Sequence, residues 1–400
     1  MPIYAGVGVS NNKDYKRAIA EAISQAKNSL KENQISLAVV ITSPDFAFPN
    51  LLKAISNIVG LSVPLIGVTN NAIFTQEGVF SHAIAIALIS AKEAHFNTAS
   101  SKSVLKDPQA GGDELAKQLL FGMKNILRRF VLFFSDGSIT DNQPLLSGIQ
   151  QRLGQSFPII AATPASNNIE TNKTFQYFNQ EVLNGSAVGL LWAGKVNFGF
   201  GIKHGWKPIG KPHRVTSAYK STITQIEGKP AAALYQDYFA KDIPELKKEL
   251  RRISCLYPLG INVSGEEEYL LRNILSIEND GSLICRDDVP NGSRVRLMIG
   301  TKESCLLATE EAARDAKQNL QLQTYPKGKD ASIIFVLNSA SRLYLLGRQI
   351  TKEIEIIKSQ FPHTPIIGLC TYREQAPLKT TDFAGKTYSH NQTIVILAMS

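Results

Sequence analysis

Three times along this 400-residue chain the same order of segments returns, and that recurrence constrains the fold more than any single motif. The first copy runs from the apolar, β-branched stretch Ile35 to Thr42 through a helical segment near Phe48 to Val59 to Val63-Pro64-Leu65-Ile66-Gly67-Val68-Thr69, and closes with Phe80 to Ser90. The second begins at Phe130 to Ser135, continues with a helix near Pro144 to Leu153 and Phe157-Pro158-Ile159-Ile160-Ala161-Ala162-Thr163, and closes with Asn184 to Trp192. The third has Ile333 to Leu337, a helix from Arg342 to Gln360, Thr364-Pro365-Ile366-Ile367-Gly368-Leu369-Cys370-Thr371, and a closing strand from Ser389 to Met399. Each copy sets a proline just before its second apolar run. Leu37 to Pro64 and Val131 to Pro158 both span 27 positions, and Ile333 to Pro365 spans 32, as a longer helix requires.

Upstream of each copy the pattern predicts a strand and an amphipathic helix, over Tyr15 to Leu30, Glu114 to Leu127 and Thr309 to Leu320. The reading is three diverged units of β-α-β-α-β followed by a hairpin. Apolar strands bracketing helices imply parallel pairs covered on both faces, and the more alternating closing strands should add antiparallel edges. The fold class is therefore α/β: duplicated units with mixed, mainly parallel sheets flanked by helices, arranged in two domains. A period of about 100 residues is too long for a solenoid.

Between the second and third copies, Lys195 to Pro290 is punctuated by glycines and short strands, and Lys229-Pro230-Ala231 resembles a helix start. The boundary is placed here, dividing the chain into 1–205, holding two units, and 206–400, holding a β-rich connector and the third unit.

Composition narrows the class further. Apolar residues make up 44% and charged residues 19%, so the chain can bury a core. A net charge of +9 over this length is thin, and the one dense cluster, Lys247-Lys248-Glu249-Leu250-Arg251-Arg252, reads as a solvated helix face, so no nucleic-acid partner is expected. The start Met1-Pro2-Ile3-Tyr4 lacks a basic, apolar leader and the longest apolar run, Ala83 to Ile89, is too short to span a bilayer. The expectation is a cytoplasmic protein with no membrane partner. Cys255, Cys285, Cys305 and Cys370 lie 30, 20 and 65 positions apart, which indicates neither a zinc knuckle nor a disulfide framework.

Standard catalytic signatures fail. Gly6-Val7-Gly8 begins like a dinucleotide loop, but Asn11 stands where the third glycine belongs. Phosphate-loop, nucleophile-elbow and zinc-protease motifs are missing from the sequence. The six histidines (His82, His95, His204, His213, His363 and His390) read first as surface or hydrogen-bonded groups. In α/β sheets ligands gather beyond the carboxyl ends of parallel strands. Those ends supply the candidate ligand-binding set: Thr69 and Asn70; Asn338, Ser339 and Arg342; and Cys370, Thr371, Tyr372, Arg373 and Glu374, beside Thr163 to Asn167 in the second unit. Arg342 and Arg373 are the expected anion contacts. Against this stands the ordinary use of such residues in caps and turns.

Taken together, several segments resemble the FIST family. They are His204-Gly205-Trp206-Lys207-Pro208-Ile209-Gly210 with Gly228-Lys229-Pro230-Ala231 at its junction, Pro365 to Tyr372 with Glu374 and Ala376-Pro377, Ser389-His390-Asn391-Gln392-Thr393, and Pro64 to Thr69. The resemblance implies a stand-alone sensory module that binds a small ligand, such as an amino acid, and signals to a separate protein such as a histidine kinase. It also implies an alternative, a haem-binding nitric-oxide sensor, for which His82, His204, His213 or His390 would supply the axial ligand. An enzyme with a dispersed site, using Cys370 or Glu374, is a further alternative. Arg373 stands where the family's turn usually has glycine, and Ala161-Ala162-Thr163-Pro164 replaces a glycine pair and an acidic residue, so the ligand or pocket should differ here.

Overall fold

The computed structural model describes residues 3–30, 34–48, 50–166, 172–262, 269–323, 330–378 and 385–400. In each of the three units four strands take the same spatial order: first, closing, second, third. In the first unit these are Tyr4–Ser10, Ile84–Ser90, Leu37–Thr42 and Leu65–Thr69. In the second they are Ala94–Ser101, Ala187–Gly194, Arg128–Ser135 and Ile159–Pro164, and in the third Phe198–Lys203, Ile394–Met399, Ile333–Ser339 and Ile366–Pro377. Only the second and third strands of each unit run parallel. The closing strand lies inside the sheet, antiparallel to both neighbours. The sheets are thus mixed, as expected, but mostly antiparallel, and the closing strands are central where edges were expected.

The recurrent prolines have one job. The carbonyls of Pro64, Pro158 and Pro365 accept backbone hydrogen bonds from Ala38, Val131 and Ile334 at 3.0, 3.0 and 2.9 Å, starting the parallel pair at the same point in every unit. Proline is tolerated there because the first residue of a strand need not donate to the ladder.

Each unit hands a hairpin to another. Ile73–Thr75 of the first unit pairs with Ile367–Leu369 of the third. Gln176–Phe178 of the second pairs with Ile66–Val68 of the first. The outer half of Ile366–Pro377, from the third, pairs with Ala161–Pro164 of the second. The exchange closes a ring. Inner faces of all three sheets meet in a shared core that includes Val39, Ile66, Leu132, Phe134, Trp192, Phe335, Leu337 and Leu397, and each unit's helices cover its outer face.

The first strand of the third unit escaped the sequence. Phe198–Lys203 pairs with Ile394–Met399, so a boundary at 205 leaves this strand on the wrong side of the cut, and the connector is inserted between the unit's first strand and its first helix, Lys302–Gln323. A Cβ on Gly199 or Gly201 would meet the carbonyls of Ala316 or Ala312 at 2.2 and 2.0 Å. Gly6 and Gly8 stand in the same relation to Ala26 and Ala22 of the helix Tyr15–Leu30. The Gly-x-Gly pair is a surface against which a helix seats, in both units.

Other boundaries moved for local reasons. The helix expected over Glu114 to Leu127 is Pro108–Leu119, because Asp107 caps it by accepting from Ala110 N at 3.0 Å with Pro108 in the first turn. The helix expected from Arg342 to Gln360 breaks at Gly347 (φ 53°) into Ala340–Leu346 and Thr351–Gln360. Lys229–Pro230 is a short strand and the helix follows at Ala233–Phe239. The connector is an antiparallel sheet over its own core of Val215, Ile223, Leu246, Leu259 and Leu297. No helix among the described residues is long and apolar enough to cross a membrane.

Candidate functional site

The strand ends chosen from the sequence do converge, but most of their polar groups bind one another. Asn70 Nδ2 donates to the carbonyls of Cys370 (2.6 Å) and Ala165 (3.3 Å), while its Oδ1 accepts from Cys370 N at 2.8 Å. Thr69 Oγ1 accepts from Phe175 N at 2.8 Å and secures the exchanged hairpin. These contacts close the centre of the ring. Asn167 lies outside the described residues.

Arg342 and Arg373 are not the expected anion contacts. Both are buried and their guanidinium groups are taken up by protein acceptors. Arg342 pairs with buried Glu353 and donates to Asn338 Oδ1 (3.1 Å), Thr309 Oγ1 (2.7 Å) and the carbonyls of His204 (2.7 Å) and Cys305 (2.8 Å). Asn338 completes that network through Glu353. Arg373 pairs with Asp287 at 2.7 Å and donates to the carbonyls of Ile139 (3.0 Å), Thr140 (2.6 Å) and Arg286 (2.6 Å). It ties the second unit to the connector. A glycine at this position could do none of this.

Glu374 is likewise internal. Its carboxylate accepts from Thr371 Oγ1 and from Thr393 at N (3.2 Å) and Oγ1 (2.7 Å). Burial pushes it up to about 7 against those hydrogen bonds. Cys370 is buried in its strand, and burial drives its thiol well above the ordinary range.

Beside this closed centre lies an open cavity of about 540 Å³, between the connector and the third unit. Ser339, Ala340, Ser341, Tyr344, Thr371 and Tyr372 form its third-unit wall, where the parallel pairing of Ile333–Ser339 with Ile366–Pro377 ends at Ser339 and Thr371. The connector supplies Leu250, Arg251, Ser254, Cys255, Asn273, Ile274, Leu275 and Arg286, and Asn172 enters from the second unit. Of the ten residues selected from the sequence, Ser339, Thr371 and Tyr372 line this cavity; the other seven are placed behind or beside it. Tyr372 bridges to the second unit by donating to Ser166 O at 3.0 Å.

Two arginines of the cavity wall were missed. Arg286 lies 4.9 Å from the Tyr372 ring centroid, and Arg251 lies 5.5 Å from that of Tyr344. Such cation–π contacts fix a guanidinium without neutralising it. Neither guanidinium donates a hydrogen bond or joins an ion pair among the described residues. Burial, with repulsion from Arg373, pulls half-buried Arg286 down to about 10. Arg286 lines the cavity while its neighbour Asp287 turns inward to Arg373. Arg251 belongs to the charge cluster assigned to a solvated face.

This cavity offers a haem no axial imidazole. No histidine lines the cavity. His390 Nε2 is engaged with Ala376 O at 3.0 Å, His204 Nδ1 accepts from Trp206 N at 2.9 Å, and His82 pairs with Asp45 on the surface. No group of three or more His, Cys, Asp or Glu among the described residues is placed to hold a metal.

Residues 36–229 match the FIST N domain and residues 231–377 the FIST C domain. The chain belongs to the FIST family. FIST domains are sensory domains that bind small ligands. An uncharacterised protein of Methanocaldococcus jannaschii is 28% identical over 176 residues, 41% of this FIST chain and 33% of the relative, so the match spans about a third of that relative's length. An uncharacterised protein found in two strains of Mycobacterium tuberculosis is 23% identical over 320 residues, 78% of this chain and 81% of its own. Among solved structures, a cyanuric acid hydrolase from A. caulinodans aligns over 99% of both chains at 9% identity and a TM-score of 0.39.

Proposed function

We propose that this FIST protein is a sensor that binds a small molecule in the cavity between the connector and the third unit and passes its occupancy to a separate protein. The observation that carries the reading is the cavity's place: it opens where the parallel pairing of two strands ends, has a volume typical of small-ligand sites, and is walled by the connector, the third unit and one residue of the second. A ligand touching both connector and third unit favours whichever relative placement lets it touch both, which is how occupancy becomes a shift in population. Arg373 would carry that shift onward, because it binds the backbone of Arg286 on the cavity wall and that of Ile139 and Thr140 in the second unit. A histidine kinase is one partner class to test, and amino acids are one ligand class.

A thermal-shift screen of amino acids, small carboxylates and phosphates tests the reading, run on the protein and on Ser341→Trp, which fills the cavity. A ligand at 100 times its Kd stabilises by about 2.7 kcal/mol. At least one compound should raise the melting temperature of the protein and not of the variant. A shift that persists in Ser341→Trp would place binding elsewhere.

A further inference from the structure

We infer that the cavity selects its ligand by an oxyanion, a carboxylate or phosphoryl group, received by Arg286 at the Tyr372 face and assisted by Arg251, with an apolar body set against Leu250, Ile274 and Leu275. The inference rests on the cavity being the ligand site.

Four buried or half-buried arginines lie in this part of the molecule, and they are used in two ways. Arg342 and Arg373 pair with Glu353 and Asp287 and spread their remaining donors over carbonyl oxygens. Arg272 is similarly spent, on the carbonyls of Asp288 (2.9 Å), Leu271 (2.9 Å) and Ser389 (3.2 Å). Arg286 departs from that pattern: it is positioned only by the ring of Tyr372, with its donors unassigned and its face toward the cavity. A half-buried cation that makes no ion pair, supported only by the more distant charges of Asp287 and Glu374, carries a desolvation cost that an arriving anion would offset. The pull on Arg286 toward neutrality is the symptom of that cost, and an incoming oxyanion would relieve it.

Arg251 faces the same place. The charges of both Arg286 and Arg251 reach the Tyr372 hydroxyl and favour its ionised form, against burial, which dominates and raises it. Ser339, Ser341 and Thr371 on the third-unit wall and Asn273 on the connector add neutral hydrogen-bonding groups to the cavity. Arginine suits this task because its planar fork meets two oxygens at once. The apolar residues that the connector also contributes, Leu250, Ile274 and Leu275, would take up a hydrocarbon or ring, as ligand cavities combine a few placed polar groups with a larger apolar wall.

The test uses 3-phenylpropionate, phenyl phosphate and phenylalanine as probes, with neutral 3-phenylpropionamide as the control, in a low-chloride buffer by calorimetry. At least one of the anions should bind, the amide at least tenfold more weakly than its acid. The carboxylate and phosphate arms then tell which oxyanion is preferred, and phenylalanine against phenylpropionate tells what the ammonium adds. Arg286→Gln should weaken the anion at least tenfold, Arg286→Lys less, and Arg251→Gln, at the exposed rim, should weaken it while leaving the far-ultraviolet circular dichroism unchanged. Amide and acid binding equally well, Arg286→Gln and Arg251→Gln both binding as the parent does, or none of the anions binding would overturn the oxyanion inference. The first two outcomes leave the cavity reading standing. Binding that survives Ser341→Trp would instead remove the cavity itself.

Discussion

Residues of one type in this protein do opposite work according to what they face. Arg373 and Arg286 are joined by a hydrogen bond from one guanidinium to the other's carbonyl, yet the first is an internal tie and the second a wall of the cavity. Sequence position alone gave the tie the role of anion contact, because both arginines near strand ends look alike until their acceptors are known. Titration separates the buried groups further. Glu374, held near 7, binds a proton in the folded chain that the unfolded chain releases near 4.5, so its contribution to stability falls as pH rises between those values. His390 and His204 act the other way. Burial pushes them down to about 4 and about 3 from 6.5, so the unfolded chain binds protons first and stability falls as pH drops below 6.5. Urea unfolding of Glu374→Gln and the parent from pH 5 to pH 8 should show the variant gaining on the parent as pH rises. Parallel curves would mean that the carboxyl keeps its ordinary acidity in the fold.

Among elements, legibility followed side-chain volume. Strands such as Leu37–Thr42 and Ile333–Ser339 announce themselves because buried strands with both faces covered must be apolar throughout. Phe198–Lys203 is mostly buried in its sheet but reads only as part of a glycine-punctuated stretch of short strands, since a helix backbone lies so close that only Gly199 and Gly201 fit under it. The cavity walls were legible in part for a related reason. Ser339, Thr371 and Tyr372 belong to recognisable strands, whereas Arg251 sits on the short helix Leu250–Leu256 and Arg286 just past the three-residue strand Leu283–Cys285, where no periodicity points to a face. Gly201→Ala should therefore cost at least the roughly 1–3 kcal/mol of an overpacked core. Gly210→Ala, with open space around it but φ at 67°, should lose only about 1 kcal/mol from backbone strain. Denaturant midpoints of the two variants decide it, and an equal loss would dissociate the glycine pair from helix seating.

At the scale of the whole molecule, the sequence showed three units but not how they are bound together. Local patterning marks where a strand is, not which neighbour it pairs with, and the hairpins cross from unit to unit. One consequence is that the two halves should not be separable. Residues 1–205 and 206–400 expressed apart should each lack cooperative unfolding, since the first half retains Phe198–Lys203 and lacks the partner of Ile73–Thr75. Co-expression should restore a single transition. A cooperative melt from the isolated first half would show the exchange to be dispensable. The ring also sets a timetable for synthesis. The strand Ile73–Thr75 leaves the ribosome roughly 290 residues before its partner at Ile367–Leu369, a wait of about fifteen to sixty seconds at ordinary elongation rates. Throughout that interval a short apolar hairpin has a bare edge, so the nascent chain is a natural client for a chaperone that shields strands until translation ends.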